Sequence, residues 1–298
     1  MLTGVHILLT LKCTNECDHC FLHCCPGREA TFTVAQLQTL VHQIEELGTV
    51  NTVYFEGGEP FLFYPLLLEG LRMVRAAKFN AGIVTNGYWA TSVEDALHWL
   101  RPIRDLGVVD FSVSDDDFHR RDNNDRRAEF AWRAAQQLGI PTDTLCIEAP
   151  SVHDPAAEGR HGKPVVGGSV LFKGRAAEKL TIGLPTRSSA EFTTCPHEDL
   201  VNPERVHVDA YGNVHLCQGL SIGNIWEKPL ADLFRSYDAQ AHPIVGPLVR
   251  GGPRQLAAEQ GLAMRDGYVD ECHMCYTARK LLLPRFPEYL APKEAYGL

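Results

Sequence analysis

Residues 5–20 of the chain read VHILLTLKCTNECDHC, an apolar run that leads into a loop with three cysteines. Residues 5–11 have the length and the apolar character of a buried strand. Residues 34–47, after the loop, place apolar side chains at the spacing of one helix face, and Thr33 is a suitable N-cap. The chain therefore opens with a strand, a cysteine-bearing loop and a helix, which is the first part of a parallel β–α–β unit.

The same alternation continues through the first half of the chain. Further strands are predicted at residues 52–55, 82–84, 108–113, 144–147 and 169–172, and further helices at residues 65–77, 92–106 and 127–138. Regular alternation implies right-handed crossovers and a parallel sheet of about six strands. Six units are too few for a complete eight-unit barrel, so a curved partial barrel and a doubly wound sheet both fit the pattern.

The alternation stops at about residue 185. Apolar runs at residues 206–208 and 214–217 flank Ala-Tyr-Gly-Asn, which is a good hairpin signal, and residues 228–270 are expected to be helical with glycine and proline breaks. The sequence therefore predicts two domains, an α/β domain over residues 1–184 and a small α+β domain over residues 185–298.

The loops that follow parallel strands share one edge of the sheet, where active sites lie. In this chain those loops carry the three cysteines, then GGEP at residues 57–60, TNG at residues 85–87 and SDDD at residues 114–117. A site is therefore expected at this edge. Four further groups near strand ends could take a proton from a substrate, and the sequence singles out none of them as a catalytic base. They are Asp116, Asp117, His119 and Glu148.

Cys13, Cys17 and Cys20 lie in one short loop, so their thiolates can bind three corners of a [4Fe–4S] cluster. One iron would then stay open to a small molecule. The alternative is a zinc site with a fourth protein ligand. The candidates for that ligand are His19, His23, Cys24 and Cys25. Cys24 and Cys25 are otherwise expected to pack beside the loop, and Cys146 is expected to be a small buried residue.

The spacing Cys-x-x-x-Cys-x-x-Cys resembles the CxxxCxΦC motif of the radical S-adenosylmethionine (radical SAM) superfamily, with His19 in the usually aromatic Φ position. GGEP, TNG and residues 112–115 resemble that family's SAM-binding strand ends, and Gly174-Arg175-Ala176 is similar to a segment near its last strand. The resemblance covers roughly residues 5–175 and implies a partial (β/α)6 TIM-like barrel. The SAM contacts that it implies are Gly57, Gly58, Glu59, Pro60, Thr85, Asn86, Ser112, Ser114 and Asp115.

The family's chemistry is one-electron cleavage of SAM. SAM chelates the open iron, and the reduced cluster breaks the bond to the adenosyl carbon to give a 5′-deoxyadenosyl radical. That radical abstracts a hydrogen atom from the substrate, while the protein positions the reactants and excludes water. An external one-electron donor of the flavodoxin or ferredoxin type is implied as a partner.

A second set of cysteines, Cys195, Cys217, Cys272 and Cys275, lies in the C-terminal region. Four thiols from three segments suit either a structural Zn²⁺ or a second Fe–S cluster, and their spacing does not separate the two. The hairpin before Cys217 and the Gly-Asn-Ile that follows resemble the SPASM/Twitch extensions of radical SAM enzymes. Four cysteines instead of the seven of a full SPASM domain are similar to the one-cluster Twitch type. The resemblance thus implies an auxiliary [4Fe–4S] cluster that accepts an electron from the substrate radical.

Composition limits the other functions. The formal net charge is -9 without a run of lysine or arginine, so neither nucleic acid nor a membrane surface is expected as a partner. The early apolar run is too short to span a membrane, and the chain is expected in the cytoplasm. In a reducing compartment, metal ligation is the default explanation for ten cysteines.

The function expected from the resemblance is oxidation or crosslinking of a substrate, most plausibly a ribosomal peptide. The chain starts at the first predicted strand, which leaves no room for an N-terminal peptide-recognition domain and tempers the peptide interpretation. A small-molecule dehydrogenase or cofactor-biosynthesis enzyme is the alternative among enzymes. A non-catalytic Fe–S or zinc protein is the alternative from another class.

Overall fold

The computed structural model describes residues 1–153 and 165–298. Eight strands form one sheet in the order β11-β10-β9-β1-β2-β3-β4-β5. Its strands are β1 (Gly4–Thr10), β2 (Thr52–Gly57), β3 (Asn80–Thr85), β4 (Asp110–Ser114), β5 (Thr142–Leu145), β9 (Arg205–Asp209), β10 (Asn213–Cys217) and β11 (Leu220–Asn224). Two small antiparallel pairs are β6 (Ser151–His153) with β7 (Val165–Gly167), and β8 (Arg187–Ser188) with β12 (Gly267–Tyr268).

Helices connect the parallel strands and cover the sheet. They are α1 (Val34–Leu47), α2 (Tyr64–Ala76), α3 (Val93–Asp105), α4 (Arg127–Gln137), α5 (Arg175–Lys179), α6 (Leu230–Ser236), α7 (Val245–Glu259) and α8 (Glu271–Leu282). Three short 3-10 helices lie at Pro60–Phe63, Ser189–Glu191 and Lys293–Tyr296. None of the helices in the described ranges combines the length and apolar character needed to span a membrane.

Helix α1 shows how local sequence sets the boundaries of an element. The Thr33 side chain accepts a hydrogen bond from the Gln36 backbone N–H, and the Gln36 side chain accepts one from the Thr33 N–H, which is a capping box. Gly48 ends the helix in the left-handed region, with a φ of 67° that favours glycine. The predicted bounds of this helix, 34–47, are confirmed.

The two faces of β1 lie in different environments. Val5, Ile7 and Leu9 are fully buried and belong to the main hydrophobic core. Successive side chains of a strand point to opposite faces, so His6 and Leu8 lie on the other face, and Leu8 lines the cavity described below. The main core therefore lies on one face of the sheet and the candidate site on the other.

The sixth parallel strand was expected at residues 169–172, and that prediction is wrong. Those residues form no strand, because the chain before them turns into the β6–β7 pair. The sixth parallel strand is β9, which pairs with the free side of β1. Part of the predicted loop at residues 150–168 lies outside the described residues.

The predicted class is confirmed as a mixed α/β fold with a largely parallel sheet. Among the described strands, β5 and β11 each pair on one side only, so the sheet stays open. Strands β9–β11 join this same sheet although they lie beyond residue 184. The division of the chain into domains at that residue stays a prediction.

Candidate functional site

A cavity of about 320 Å³ lies at the carboxyl ends of the parallel strands. All three cysteines of the first cluster line it, and none of the ten cysteines of the chain forms a disulfide. Residues 169–171 form part of its wall. The expected convergence of the strand-end motifs at one edge is therefore present in the structure.

Five of the nine expected SAM-contacting residues line this cavity, namely Gly57, Gly58, Thr85, Asn86 and Ser114. The other four, Glu59, Pro60, Ser112 and Asp115, do not line it. The Ser112 hydroxyl instead donates to the Asp110 carboxylate at 3.2 Å, and Asp115 forms an ion pair with Arg120 at 2.8 Å.

Gly57 and Gly58 let the end of β2 approach the cysteine loop closely. Gly57 has a φ of 125°, where other residues are strained. A Cβ atom on Gly58 would lie 2.1 Å from the Lys12 carbonyl oxygen. The Gly58 N–H donates to the Thr10 carbonyl at 2.7 Å, and the Glu59 N–H donates to the Lys12 carbonyl at 2.9 Å. Only glycine fits here, so this motif fixes the start of the cysteine loop.

The Glu59 carboxylate is fully buried and joins two strand ends. It accepts hydrogen bonds from the Phe61 N–H at 3.0 Å, the Thr85 hydroxyl at 2.8 Å and the Asn86 N–H at 2.8 Å. Its role in this structure is therefore to hold the segment after β3 against the segment after β2. Burial raises the pKa of Glu59 to about 7.

Asn86 and Asn15 both donate to the sulfur of Cys13. The Asn86 side-chain amide lies 3.6 Å from that sulfur, and the Asn15 backbone N–H lies 3.4 Å from it. Burial raises the pKa of Cys13 to about 12. Without a metal this sulfur stays protonated, whereas ligation deprotonates a coordinating thiol. Two donors aimed at one buried sulfur suit a metal-bound thiolate.

Cys24 packs beside the cysteine loop, as expected, and is buried. Its thiol is hydrogen-bonded to Cys20, which lowers the pKa of Cys20, and it lines the same cavity. His23, another candidate zinc ligand, instead bonds the Tyr276 hydroxyl at 3.0 Å. Cys146 is exposed, contrary to expectation, because it follows the edge strand β5.

His119 and Asp116 form a buried pair beside the cluster loop. The His119 Nδ1 lies 2.9 Å from an Asp116 oxygen. Burial opposes a charge on His119, but its bonds to Asp116 and Cys17 raise its pKa to about 10. His19 packs against the Phe118 and His119 rings at centroid distances of 4.6 and 5.0 Å. The pair therefore places a cation next to the Cys17 sulfur.

The four C-terminal cysteines line one small cavity of about 30 Å³, as expected of thiols that share one metal centre. Two buried cations share this cavity, Lys173 and Arg279. The Lys173 Nζ lies 3.6 Å from the Cys217 sulfur. The Arg279 Nε is buried without a hydrogen-bond partner among the described residues.

Buried cations require nearby negative charge. Burial opposes the charge of Lys173, but Cys217 and Glu198 raise its pKa. In the absence of metal, burial raises the pKa of Cys272 and Cys275, the latter to about 12. With neutral thiols, the Glu198 carboxylate, 3.7 Å from the Lys173 Nζ, would be left to balance two buried cations. Four thiolates on a metal centre supply the missing negative charge, so these residues fit such a centre.

The segment 173–175 connects the two cysteine sites. Its first residue, Lys173, reaches Cys217, and its last, Arg175, donates to the carbonyls of Cys17 at 2.5 Å and Cys24 at 2.9 Å. The Arg175 backbone N–H also donates to the Cys20 carbonyl at 2.9 Å. A Cβ atom on the intervening Gly174 would lie 2.4 Å from the Phe21 Cα. The two sites are thus packed against one short backbone segment.

A second cavity of about 740 Å³ adjoins both sites. It shares residues 169–171 with the first cavity. On its other side it is lined by His197 and Asp270, whose ligating atoms lie within 4.8 Å of each other and of the Cys272 sulfur. It therefore offers room for a large ligand between the two cysteine sites.

The family model of the radical SAM superfamily matches residues 7–147, which include the cysteine loop and four of the strand ends. The match covers a little less than half of the chain. Members of that superfamily are enzymes that use a [4Fe–4S] cluster and SAM.

Particular proteins are similar to this chain. "Putative peptide biosynthesis protein YydG" of Bacillus subtilis (strain 168) is 26% identical over 115 residues, which are 39% of this chain and 36% of that relative. The match thus spans about a third of the relative's length.

Two solved structures share the fold. BtrN in complex with AdoMet and 2-DOIA has a TM-score of 0.52 at 18% identity, over 79% of this chain and 83% of BtrN. Native anSMEcpe with bound AdoMet has a TM-score of 0.50 at 13% identity, over 96% of this chain and 98% of that one. These likenesses support the partial-barrel fold.

Proposed function

We propose that the protein reductively cleaves SAM to a 5′-deoxyadenosyl radical, abstracts a hydrogen atom from a peptide, and so oxidises or crosslinks that peptide. The observation that carries the proposal is the first cavity, where three cysteines from one loop meet the glycine-rich end of β2. Cys13, Cys17 and Cys20 would hold a [4Fe–4S] cluster that, when bound and reduced by the external donor, offers one open iron to SAM and supplies the electron for its cleavage.

This chain's own residues would then position SAM. Gly57 and Gly58 expose backbone groups at the cavity wall, while Thr85, Asn86 and Ser114 offer hydrogen-bonding groups there. Glu59 acts through these residues, because its carboxylate accepts a hydrogen bond from the Asn86 backbone N–H and so holds Asn86 in place. Glu59, Pro60, Ser112 and Asp115 therefore have supporting roles in the proposal.

The second part of the proposal is an auxiliary [4Fe–4S] cluster on Cys195, Cys217, Cys272 and Cys275, in a Twitch-like C-terminal region. The four cysteines line one cavity, and Lys173 and Arg279 would balance the charge of a cluster bound there. The cluster would accept the electron that a substrate radical loses when it is oxidised. Segment 173–175 would keep the two clusters at a fixed separation.

A peptide is proposed as the substrate on two grounds. The 740 Å³ cavity between the two cysteine sites is large enough for several residues of an extended chain. The name of the YydG relative, which is 26% identical over 115 residues, points to peptide biosynthesis. The protein would act in the reducing cytoplasm with a flavodoxin- or ferredoxin-type electron donor.

Deuterium transfer tests the substrate class. The reconstituted, reduced protein would be incubated with SAM and with deuterated peptides encoded beside its gene. The proposal predicts deuterium in 5′-deoxyadenosine and a mass loss or crosslink in the peptide. Transfer from a deuterated alcohol or cofactor precursor, with no transfer from any peptide, would favour the small-molecule alternative.

Iron counting tests the auxiliary cluster separately. In a Cys13/Cys17/Cys20→Ala variant, the proposal predicts that one [4Fe–4S] cluster remains, with iron and sulfide in equal amounts. Bound zinc without sulfide would refute the auxiliary Fe–S cluster and would leave SAM cleavage at the first site untouched.

A further inference from the structure

Three potential metal ligands come from three neighbouring strands on the face of the sheet opposite the main core. They are His6 on β1, Glu56 on β2 and His207 on β9. His6 is paired directly with His207, and Glu56 is paired with Leu8, two residues along the same face of β1. The sheet register itself therefore brings the three side chains together.

The three groups meet at one carboxylate oxygen. The Glu56 Oε1 lies 3.3 Å from the His6 Nδ1 and 3.0 Å from the His207 Nε2. One ligating atom of each residue lies within 4.8 Å of the others. Two nitrogens and a carboxylate oxygen are a ligand set that Zn²⁺ and Fe²⁺ accept, with further coordination positions left open.

Among the described residues, no lysine or arginine forms an ion pair with Glu56. Within the described residues, its ion-pair partners are the two imidazoles. The carboxylate therefore lacks a permanent counter-charge, and a bound cation would supply one.

The hydrogen-bonding potential of the two histidines is also not fully satisfied among the described residues. The Nδ1 atoms of His6 and His207 are buried and lack a hydrogen-bond partner in the described part of the chain. For His6 this is the atom that faces Glu56, so its approach at 3.3 Å does not have the geometry of a hydrogen bond. His207 is only 6% exposed, so water does not readily replace the missing partners.

We propose that His6, Glu56 and His207 bind a divalent transition-metal ion, of the Zn²⁺ or Fe²⁺ class, separate from both cysteine sites. Glu56 also lines the 320 Å³ cavity, so the site adjoins that cavity through this residue. An oxygen or nitrogen of a ligand in the cavity would complete the coordination. The site rests on these three residues and does not depend on SAM cleavage.

Tyr54 lies beside the site and is not one of its ligands. Its ring stacks on His6 at a centroid distance of 4.7 Å, and its hydroxyl donates to Asp110 at 2.6 Å. Replacing it with phenylalanine keeps the stacked ring and removes no ligating atom. Tyr54→Phe is therefore the matched control for variants of the three ligands.

Equilibrium dialysis against Zn²⁺ tests the proposal in protein whose cysteine clusters have been reconstituted. The wild type and Tyr54→Phe are expected to bind one Zn²⁺ that Glu56→Gln and His207→Gln lose, with affinity reduced at least about a hundredfold. Unchanged iron and sulfide contents show that the variants keep their fold. Equal Zn²⁺ binding by all four proteins would overturn the proposal.

X-ray absorption at the zinc edge gives a second measurement that needs no variant. In zinc-loaded wild type the proposal predicts a first shell of nitrogen and oxygen only. Sulfur in that shell would place the zinc on cysteines and would overturn the proposal, even if the variants fail to fold.

Discussion

Lys173 is expected to raise the reduction potential of the proposed auxiliary cluster, because it is a buried cation whose Nζ lies 3.6 Å from the sulfur of Cys217, one of the proposed ligands. We take an effective separation of about 6.5 Å between the Lys173 Nζ and the electron that reduction would add to such a cluster. With an effective dielectric constant of about 20, one unit charge then contributes about 2.5 kcal/mol. For a one-electron couple this corresponds to about 100 mV.

We therefore expect Lys173→Met to lower the midpoint potential of the auxiliary cluster by about 100 mV. The assay is a redox titration monitored by electron paramagnetic resonance. It is done in the Cys13/Cys17/Cys20→Ala background, so that only the auxiliary cluster contributes to the signal. Methionine keeps the length of the side chain while removing its charge.

The control is Lys280→Met, which removes the same charge from α8, the helix that carries Cys272 and Cys275. Lys280 is 37% exposed and pairs with Glu178 at 2.6 Å, so solvent and its partner screen it. Its substitution should shift the potential by less than about 20 mV. A Lys173→Met shift no larger than that of the control, or a shift to higher potential, would refute the reasoning.

Three further predictions concern the first site. Gly58→Ala should prevent a cluster from forming at the first site, because a Cβ atom there would lie 2.1 Å from the Lys12 carbonyl oxygen. The measurement is iron content, which should fall by about half. The control is Gly4→Ala, which should retain all the iron because its Cβ atom would lie 3.6 Å from the nearest atom. Arg175→Met should reduce the free energy of unfolding of the metal-free protein by about 2–4 kcal/mol in urea, because it strands buried carbonyls, whereas exposed Lys179→Met should change it by under about 0.5 kcal/mol. Burial lowers the pKa of His23 from 6.5 to about 4. Between pH 6.5 and pH 4 this histidine is therefore protonated in the unfolded chain and neutral in the folded protein, so the free energy of unfolding falls as the pH drops through that range. His23→Gln should remove about 2 kcal/mol of that fall, and an unchanged pH profile would contradict this assignment.

The first site was largely predictable from the sequence because its residues follow consecutive strands. Strands of length and composition typical of a buried sheet placed Cys13, Gly57 and Asn86 at one edge, and the structure brings all three to one cavity. The supporting role of Glu59 was harder to predict from the sequence, because the GGEP motif alone does not show whether the carboxylate faces a ligand or the protein interior. Burial and three internal hydrogen bonds decide this.

The position of the sixth strand could not be predicted from local patterns. Residues 205–209 and residues 169–172 both have strand-like composition, and only the free edge of β1 selects the former. The same long-range pairing creates the cluster of His6, Glu56 and His207, whose members are distant in the chain.

Charge compensation at the second cysteine site could not be predicted from the sequence either. Lys173 lies 44 residues from Cys217, and no local pattern indicates that its Nζ reaches that sulfur. Arg175 had one signal, the Gly-Arg-Ala segment, but the segment did not indicate that the guanidinium holds the carbonyls of the cysteine loop. Contacts of this kind follow from tertiary packing.

Formation of 5′-deoxyadenosine tests the central claim most directly. Anaerobically reconstituted protein, reduced with dithionite and given SAM, is predicted to produce 5′-deoxyadenosine. The Cys13/Cys17/Cys20→Ala variant, with its C-terminal cysteines intact, is predicted to produce none. Absence of the product from wild-type protein with a full complement of iron and sulfide would contradict the account and would favour a non-catalytic metal-binding protein.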